Sequence, residues 1–188
     1  LYQACPRCAA PASPGGLPCP FCREGRYSFR RACALGLYQG FLRDVVLSAK
    51  RPGGGLLAYR IGEILGDLFA DQLARQHYSL LTAAPVHWRR RLRRGFNGTE
   101  LMIHGLQTRL AVPTGTRLLV HQRPTRKQAM LSSRQRGRNV KGAYRLRPGH
   151  KLAGHRVLLV DDVMTTGTTA AELSHVLRKA GAERVDLL

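Results

Sequence analysis

Two adjacent aspartates, Asp161 and Asp162, close the apolar run 157–160 and stand just ahead of Thr165, Thr166, Gly167, Thr168 and Thr169. The chain has 188 residues, a formal net charge of +20 and only 11 acids, so a vicinal pair at the end of a buried strand needs a reason. Two neighbouring carboxylates repel when both are ionised, and hydroxyl donors, a metal ion or a guanidinium must offset that. In open α/β sheets, ligands bind beyond the carboxyl ends of the strands, where this pair sits. The glycine in the following loop permits positive φ, and the loop's N–H groups can curl around an anion. The helix that follows points its N-terminus, roughly half a positive charge, at the same spot. One short segment thus offers acceptors for vicinal hydroxyls and donors for a phosphate. A ribose 5-phosphate has both.

A second constellation is Cys5-Pro6-Arg7-Cys8 with Cys19-Pro20-Phe21-Cys22. Two residues between cysteines let both thiolates reach one ion, and four thiolates close a tetrahedral shell, so the expectation is a structural Zn²⁺, with rubredoxin-like iron as the alternative. Cys33 has no fixed partner and reads as a small core residue. Five cysteines are too few and too uneven for a secreted disulfide framework, and a reducing cytoplasm fits better.

Charge gives the third signal. Between positions 85 and 147 stand fourteen Arg and two Lys against a single acid, Glu100. Such a stretch suits a polyanion: a phosphate-rich small molecule, nucleic acid or, third, a membrane surface. A compositional bias toward arginine is the competing account. No apolar run approaches the roughly 18 residues of a membrane span, and no signal-peptide pattern opens the chain. The chain starts at Leu1 and stops inside an apolar run, so a missing C-terminal tail is expected.

The elements that must hold these groups follow from periodicity. Residues 1–33 are rich in Cys, Pro and Gly and form a small metal-binding module; 34–188 form the main unit. A short strand is expected over 34–40. Leu42, Val45, Val46 and Ala49 mark a helix, and Ile61, Ile64, Leu65, Leu68, Phe69 and Leu73 a longer one after the break at 51–55. A buried strand over 79–84 leads into a basic loop from Pro85. Asn97 and Glu100 have the spacing of a capping box for a helix through 106–110. A strand is expected over 117–120, and 122–142 reads as one long functional loop. Strand 157–160 and a helix carrying Ala170, Leu173, Val176, Leu177 and Ala180 complete the chain. Strands alternating with helices give a doubly wound, mostly parallel α/β sheet.

Residues 157–169 resemble the phosphoribosyl pyrophosphate (PRPP) motif of the type I phosphoribosyltransferases. The order of the two Cys-Pro-x-Cys pairs, the stretch 84–97, the stretch 123–146 and this motif is similar to the competence-protein-F (ComF) family, phosphoribosyltransferase-like proteins with an N-terminal zinc module associated with DNA uptake in natural transformation. The resemblance implies that Asp161 and Asp162 hold the ribose hydroxyls, that Thr165, Thr166, Gly167, Thr168 and Thr169 cradle the 5′-phosphate, and that Arg89, Arg91 and Arg94 bind pyrophosphate. It makes 122–142 a hood loop that closes over the site, with Arg123, Gln128, Arg134 and Asn139 matching the pattern; Gln128 and Arg134 join the acid pair as catalytic candidates. It implies pentosyl transfer from PRPP with Mg²⁺, a glycosyltransferase chemistry. A second class stays open: a binding protein on the same fold that grips single-stranded DNA or a DNA-uptake partner.

Overall fold

The computed structural model describes residues 3–13, 15, 17–24, 27–115, 117–123, 125 and 133–188. Among these the chain runs α1 (Pro20–Glu24), α2 (Gly40–Ala49), α3 (Gly55–Ala74), β1 (Leu80–Ala83), α4 (Trp88–Arg94), α5 (Gly98–Leu106), β2 (Leu119–His121), α6 (Ser133–Val140), β3 (Tyr144–Leu146), β4 (Arg156–Val160), α7 (Thr168–Lys179) and β5 (Arg184–Leu187). Strands β1, β4 and β5 form a parallel sheet in that order, with Leu80 opposite Val157 and Val157 opposite Val185.

Side chains alternate across a strand, so β4 divides the interior in two. Val157 and Leu159 pack with Leu173 and Leu177 of α7. Leu158 and Val160 pack with residues of α3 and α5, among them Leu65, Phe69, Ile103 and Leu106. All four β4 residues are fully buried. Helices therefore cover both faces, which is the doubly wound arrangement expected. Helices α3 and α5 lie in close contact: a Cβ at Gly105 would run into the Tyr59 carbonyl, so only glycine allows this approach. The outcome is that the carboxyl end of β4, with its acid pair, is held between two packed layers.

The structure departs from the expected elements in four places. No strand forms over 34–40; the sheet-like bonding comes earlier, where the Arg30 and Cys33 amides donate to the carbonyls of Val185 and Leu187 at 2.8 and 2.9 Å and Ala32 bridges Leu187 in parallel. Buried Asp186 reinforces this edge by pairing with Arg31 at 3.4 Å and with Arg184 at 2.5 Å, and it accepts a hydrogen bond from the Tyr78 hydroxyl. The basic loop after Pro85 contains helix α4, whose first turn is capped by the His87 ring accepting from the Arg89 amide at 3.3 Å. The next helix stops at Leu106 rather than continuing to 110. The stretch 122–142 holds α6 and leads into β3, which pairs antiparallel with β2 as a separate ribbon.

The N-terminal segment is packed onto this frame. Cys5, Cys8, Phe29 and Ala32 belong to the same buried cluster as Val157, Leu159 and Leu173. Cys33 is half-buried against the other cluster and its Sγ accepts from Gln72 Nε2 at 3.4 Å. No helix among the described residues is long and apolar enough to cross a membrane.

Candidate functional site

Strand β4 ends at Val160, and the chain bends through Asp161 and Asp162. The bend resolves the difficulty that neighbours on a strand face opposite ways: once the strand has ended, both carboxylates can serve one ligand. Asp161 Oδ1 accepts from the Asp162 amide at 2.9 Å. Asp162 Oδ1 lies 2.9 Å from Lys50 Nζ, at the C-terminal cap of α2. Burial, together with the charge of Asp162, pushes the Asp161 carboxyl up to about 7, against the opposing pull of the Asp162 amide and Lys50. Asp161 is thus held at the edge of protonation, and hydroxyl donors from a ligand would stabilise its charged form.

The loop beyond is shaped for an anion. Gly167 has φ +70 and caps the N-terminus of α7, whose first turn contains no acid. The hydroxyls of Thr166 and Thr168 are 3.1 Å apart, and Thr165 is exposed. First-turn helix N–H groups and threonine hydroxyls around a left-handed glycine are the donor types that a phosphate takes. Asp161, Asp162, Met164 and Gly167 line one cavity of about 210 Å³ together with Cys8 and Tyr27.

One cation of α4, Arg94, reaches the acid pair. Arg94 is close enough to Asp162 to feel its charge, while burial works to lower the Arg94 pKa. One turn earlier, Arg90 acts electrostatically on His121 and Tyr144. Residues four apart share a face, so Arg90 and Arg94 form the side of α4 turned to the site. Arg91 is turned to Glu100 at 3.5 Å, and the Arg89 guanidinium lies over the Trp88 ring at 5.2 Å. His121 packs 4.9 Å from Tyr144, ring to ring, and burial lowers its pKa. The Tyr144 phenol is pushed up to about 12 by burial and the nearby Asp161.

The four paired cysteines converge. Their sulfurs all lie within 4.8 Å of one another, with Cys5 and Cys22 at 3.7 Å and Cys8 and Cys19 at 3.5 Å. A tetrahedral shell with Zn–S near 2.3 Å has sulfur edges of about 3.8 Å. The donor set and its spacing fit a metal ion such as zinc, and all four thiols are free of disulfides.

Residues 98–188 match the phosphoribosyl transferase domain family. Over 188 aligned residues the chain is 31% identical to DNA utilization protein YhgH of Escherichia coli K12, covering 97% of this chain and 81% of that protein. The chain belongs to the ComF/YhgH family. Competence protein F of Haemophilus influenzae Rd, a ComF relative, is 36% identical over 104 residues, 55% of this chain and 45% of its own. Among solved structures, the glutamine PRPP amidotransferase of Bacillus subtilis aligns at 22% identity with a TM-score of 0.43, over 69% of this chain and 26% of that one.

Against the residues that the ComF resemblance singled out, the structure brings together Asp161, Asp162, the 165–169 loop and Arg94, and separately the four cysteines. Arg89 lies over the Trp88 ring and Arg91 pairs with Glu100. Arg123 donates to the carbonyls of Lys141 at 2.6 Å and Arg138 at 3.5 Å, clasping the start of the 122–142 stretch to its end. Asn139 is half-buried at the end of α6. Gln128 lies outside the described residues, as does the side chain of Arg134, whose backbone is in α6. Sequence reasoning missed Lys50, Arg90, His121 and Tyr27. Lys50 carried one signal, a lone lysine between a helix and a glycine-rich break; Arg90 carried its spacing to Arg94.

Proposed function

We propose that this ComF/YhgH protein binds PRPP and transfers its ribosyl group. The observation that carries the reading is the acid pair, charge-balanced by Lys50, one turn ahead of the left-handed Gly167 that opens α7. On this reading Asp161 and Asp162 accept from the ribose 2′- and 3′-hydroxyls. Thr165, Thr166, Gly167, Thr168 and Thr169 take the 5′-phosphate. Arg94 and Arg90 face the departing pyrophosphate, with Arg89 and Arg91 at its outer side. As the C1′–O bond breaks, its electron pair leaves with pyrophosphate and positive charge grows on the ribosyl carbon, beside the carboxylates. Mg²⁺, which binds through one or two carboxylates plus substrate phosphates, would supply charge neutralisation at the leaving group. The Asp161–Asp162 pair is a donor set of that kind. The stretch 122–142, with Gln128, Arg134 and Asn139, closes the site against water. Residues 1–33 serve as the metal-binding module and 34–188 as the phosphoribosyltransferase-like unit.

Calorimetric titration with PRPP, with and without Mg²⁺, tests the binding claim. The expected result is a saturable heat that Asp161→Asn with Asp162→Asn abolishes while the fold persists. Equal affinity in wild type and double variant removes the ribose assignment. Release of pyrophosphate from PRPP, assayed with candidate amines and nucleobases, tests the transfer.

A second reading has its own observation. Trp88 and Leu92 are 61% and 79% exposed on α4, among five arginines. An exposed indole flanked by cations suits a single strand of nucleic acid, by stacking and phosphate contact. The names of the relatives, a DNA utilization protein and a competence protein, support a role in DNA uptake. We place the protein in the cytoplasm, where four thiols stay reduced for the metal.

A further inference from the structure

Tyr27 stands between the cysteine cluster and the anion loop. It follows Cys22 by five residues. Its ring stacks on Phe29 at 4.7 Å and 19°, and Phe29 is 2% exposed in the cluster that also holds Cys5 and Cys8. Cys19 and Cys22 pack on the same cluster, as Tyr27 itself does. On its other side Tyr27 meets the loop twice. Its hydroxyl donates to the Thr166 carbonyl at 3.3 Å, and a Cβ built at Gly167 would stand 2.7 Å from its Cε1. The ring therefore lies against the bare Cα of Gly167.

The hydrogen bond has a directional consequence. A trans peptide is planar, with its carbonyl and N–H pointing opposite ways. Holding the Thr166 carbonyl toward Tyr27 turns the Gly167 amide away from Tyr27, the orientation an anion-binding concavity needs. On the knuckle side, Tyr27 stands close enough to Cys8, Cys19 and Cys22 for their charges to act on its phenol. Helix α1 is five residues long and buries none of them, so it has no core of its own to fix the following chain. A metal bridging Cys5, Cys8, Cys19 and Cys22 would supply that fixation, because ligand closure is folding energy for so small a unit.

We propose that Tyr27 is a positioning residue that couples the four-cysteine metal site to the phosphate loop, so that metal and a ribose 5-phosphate ligand each strengthen the other's binding. The inference rests on the loop's assignment as the phosphate cradle. Coupling of this kind is reciprocal by thermodynamic necessity.

The test measures zinc release to a chromophoric chelator, using full-length protein loaded with one zinc, with and without saturating ribose 5-phosphate. Wild type should release zinc about tenfold more slowly with the ligand present, a typical coupling factor. Tyr27→Ala should release it at the same rate in both conditions, and Tyr27→Phe, which keeps the ring and loses the bond, should fall between. A merely structural tyrosine would shift both rates together and leave their ratio intact. Equal ratios in wild type and Tyr27→Ala overturn the proposal, as does a wild-type ratio of one when calorimetry shows that ribose 5-phosphate binds. If calorimetry shows no binding, the phosphate-loop reading fails and Gly167→Ala decides on the contact alone. Its added methyl pushes on the Tyr27 ring, so zinc release without ligand should quicken severalfold. An unchanged rate there overturns the coupling too.

Discussion

Lys50 Nζ stands 2.9 Å from Asp162 Oδ1, with each side chain about a quarter exposed. The contact joins the end of α2 to the end of β4 across more than a hundred residues of sequence. It offsets the repulsion that two adjacent carboxylates generate, and it does so before any ligand arrives. Lys50→Met should therefore lower stability at pH 8, above the range in which Asp161 titrates, by on the order of 1–2 kcal/mol. At pH 5, where Asp161 is protonated, the loss should be smaller. Thermal denaturation at the two pH values checks this; equal losses would mean that the lysine does not balance the acids.

Asp161 gives a prediction with a defined pH window. Its carboxyl titrates near 7 in the folded protein, above its ordinary value near 4. A raised carboxyl stabilises the fold fully below about pH 4 and loses that contribution as pH rises through about 7. Asp161→Asn cannot ionise, so its Tm should exceed that of wild type by a gap that opens between pH 4 and 7 and then levels off. The same substitution should weaken ribose 5-phosphate binding. Higher stability with lower affinity is the signature of a group kept for function. A gap that is flat with pH would remove the raised carboxyl from the argument.

The unit from β4 through α7 was legible because everything that shapes it is local. Four apolar residues, two acids, a glycine among threonines and an amphipathic helix stand in one run of sequence. The cysteine cluster was legible for a similar reason, since paired knuckles announce their own geometry. Lys50, Tyr27 and His121 were not, because each reaches the site from a distant part of the chain; Lys50 was marked only by its place before a glycine-rich break, and Tyr27 and His121 by nothing local. Helix α4 was read as loop because its apolar residues, Trp88 and Leu92, face outward rather than toward a core; arginine's good helix propensity and the His87 cap decided otherwise. Strand β3 spans three residues, too few for an alternation to register. The edge contact at 30–33 escaped notice because its bonding partner, β5, lies about 150 residues away.

The metal prediction follows from packing. Protein purified without added metal should carry about one zinc per chain, by elemental analysis. Composition alone suggests that Cys5→Ser with Cys8→Ser would leave the rest of the chain largely untouched. Cys5, Cys8 and Phe29 belong to the buried cluster that also holds Val157 and Leu173, which argues for a wider effect. The double variant should lose the metal and also lower the Tm of the main cooperative transition by several degrees. Iron in place of zinc would correct the metal, and an unchanged Tm would show that the module and the sheet melt independently.

Trp88 offers a test of the nucleic-acid reading, because it is the only tryptophan in the chain. It lies one turn from Leu92 on α4, with Arg89 over its ring, and Glu100, which lines a pocket with it, is paired with Arg91. Titration with a single-stranded oligothymidylate should quench its fluorescence, and labelled DNA should show a matching rise in anisotropy. Log affinity should fall with log salt at a slope of roughly −0.7 per phosphate contact, so two to four arginine contacts give about −1.4 to −2.8. Trp88→Ala, followed by anisotropy, should cost roughly 1–3 kcal/mol, the value of one stacked base. Arg89→Glu with Arg93→Glu should weaken binding further and flatten the salt slope. Asp161→Asn should bind DNA as wild type does, because removing a negative charge at the end of β4 cannot weaken a phosphate contact made on α4. A blue shift on anionic vesicles without any response to DNA would reassign the face to a lipid surface. Stoichiometric competition between DNA and PRPP would place both ligands on one site, and no anisotropy change at about 0.1 M salt, where screening is still moderate, would leave the exposed indole without a nucleic-acid partner.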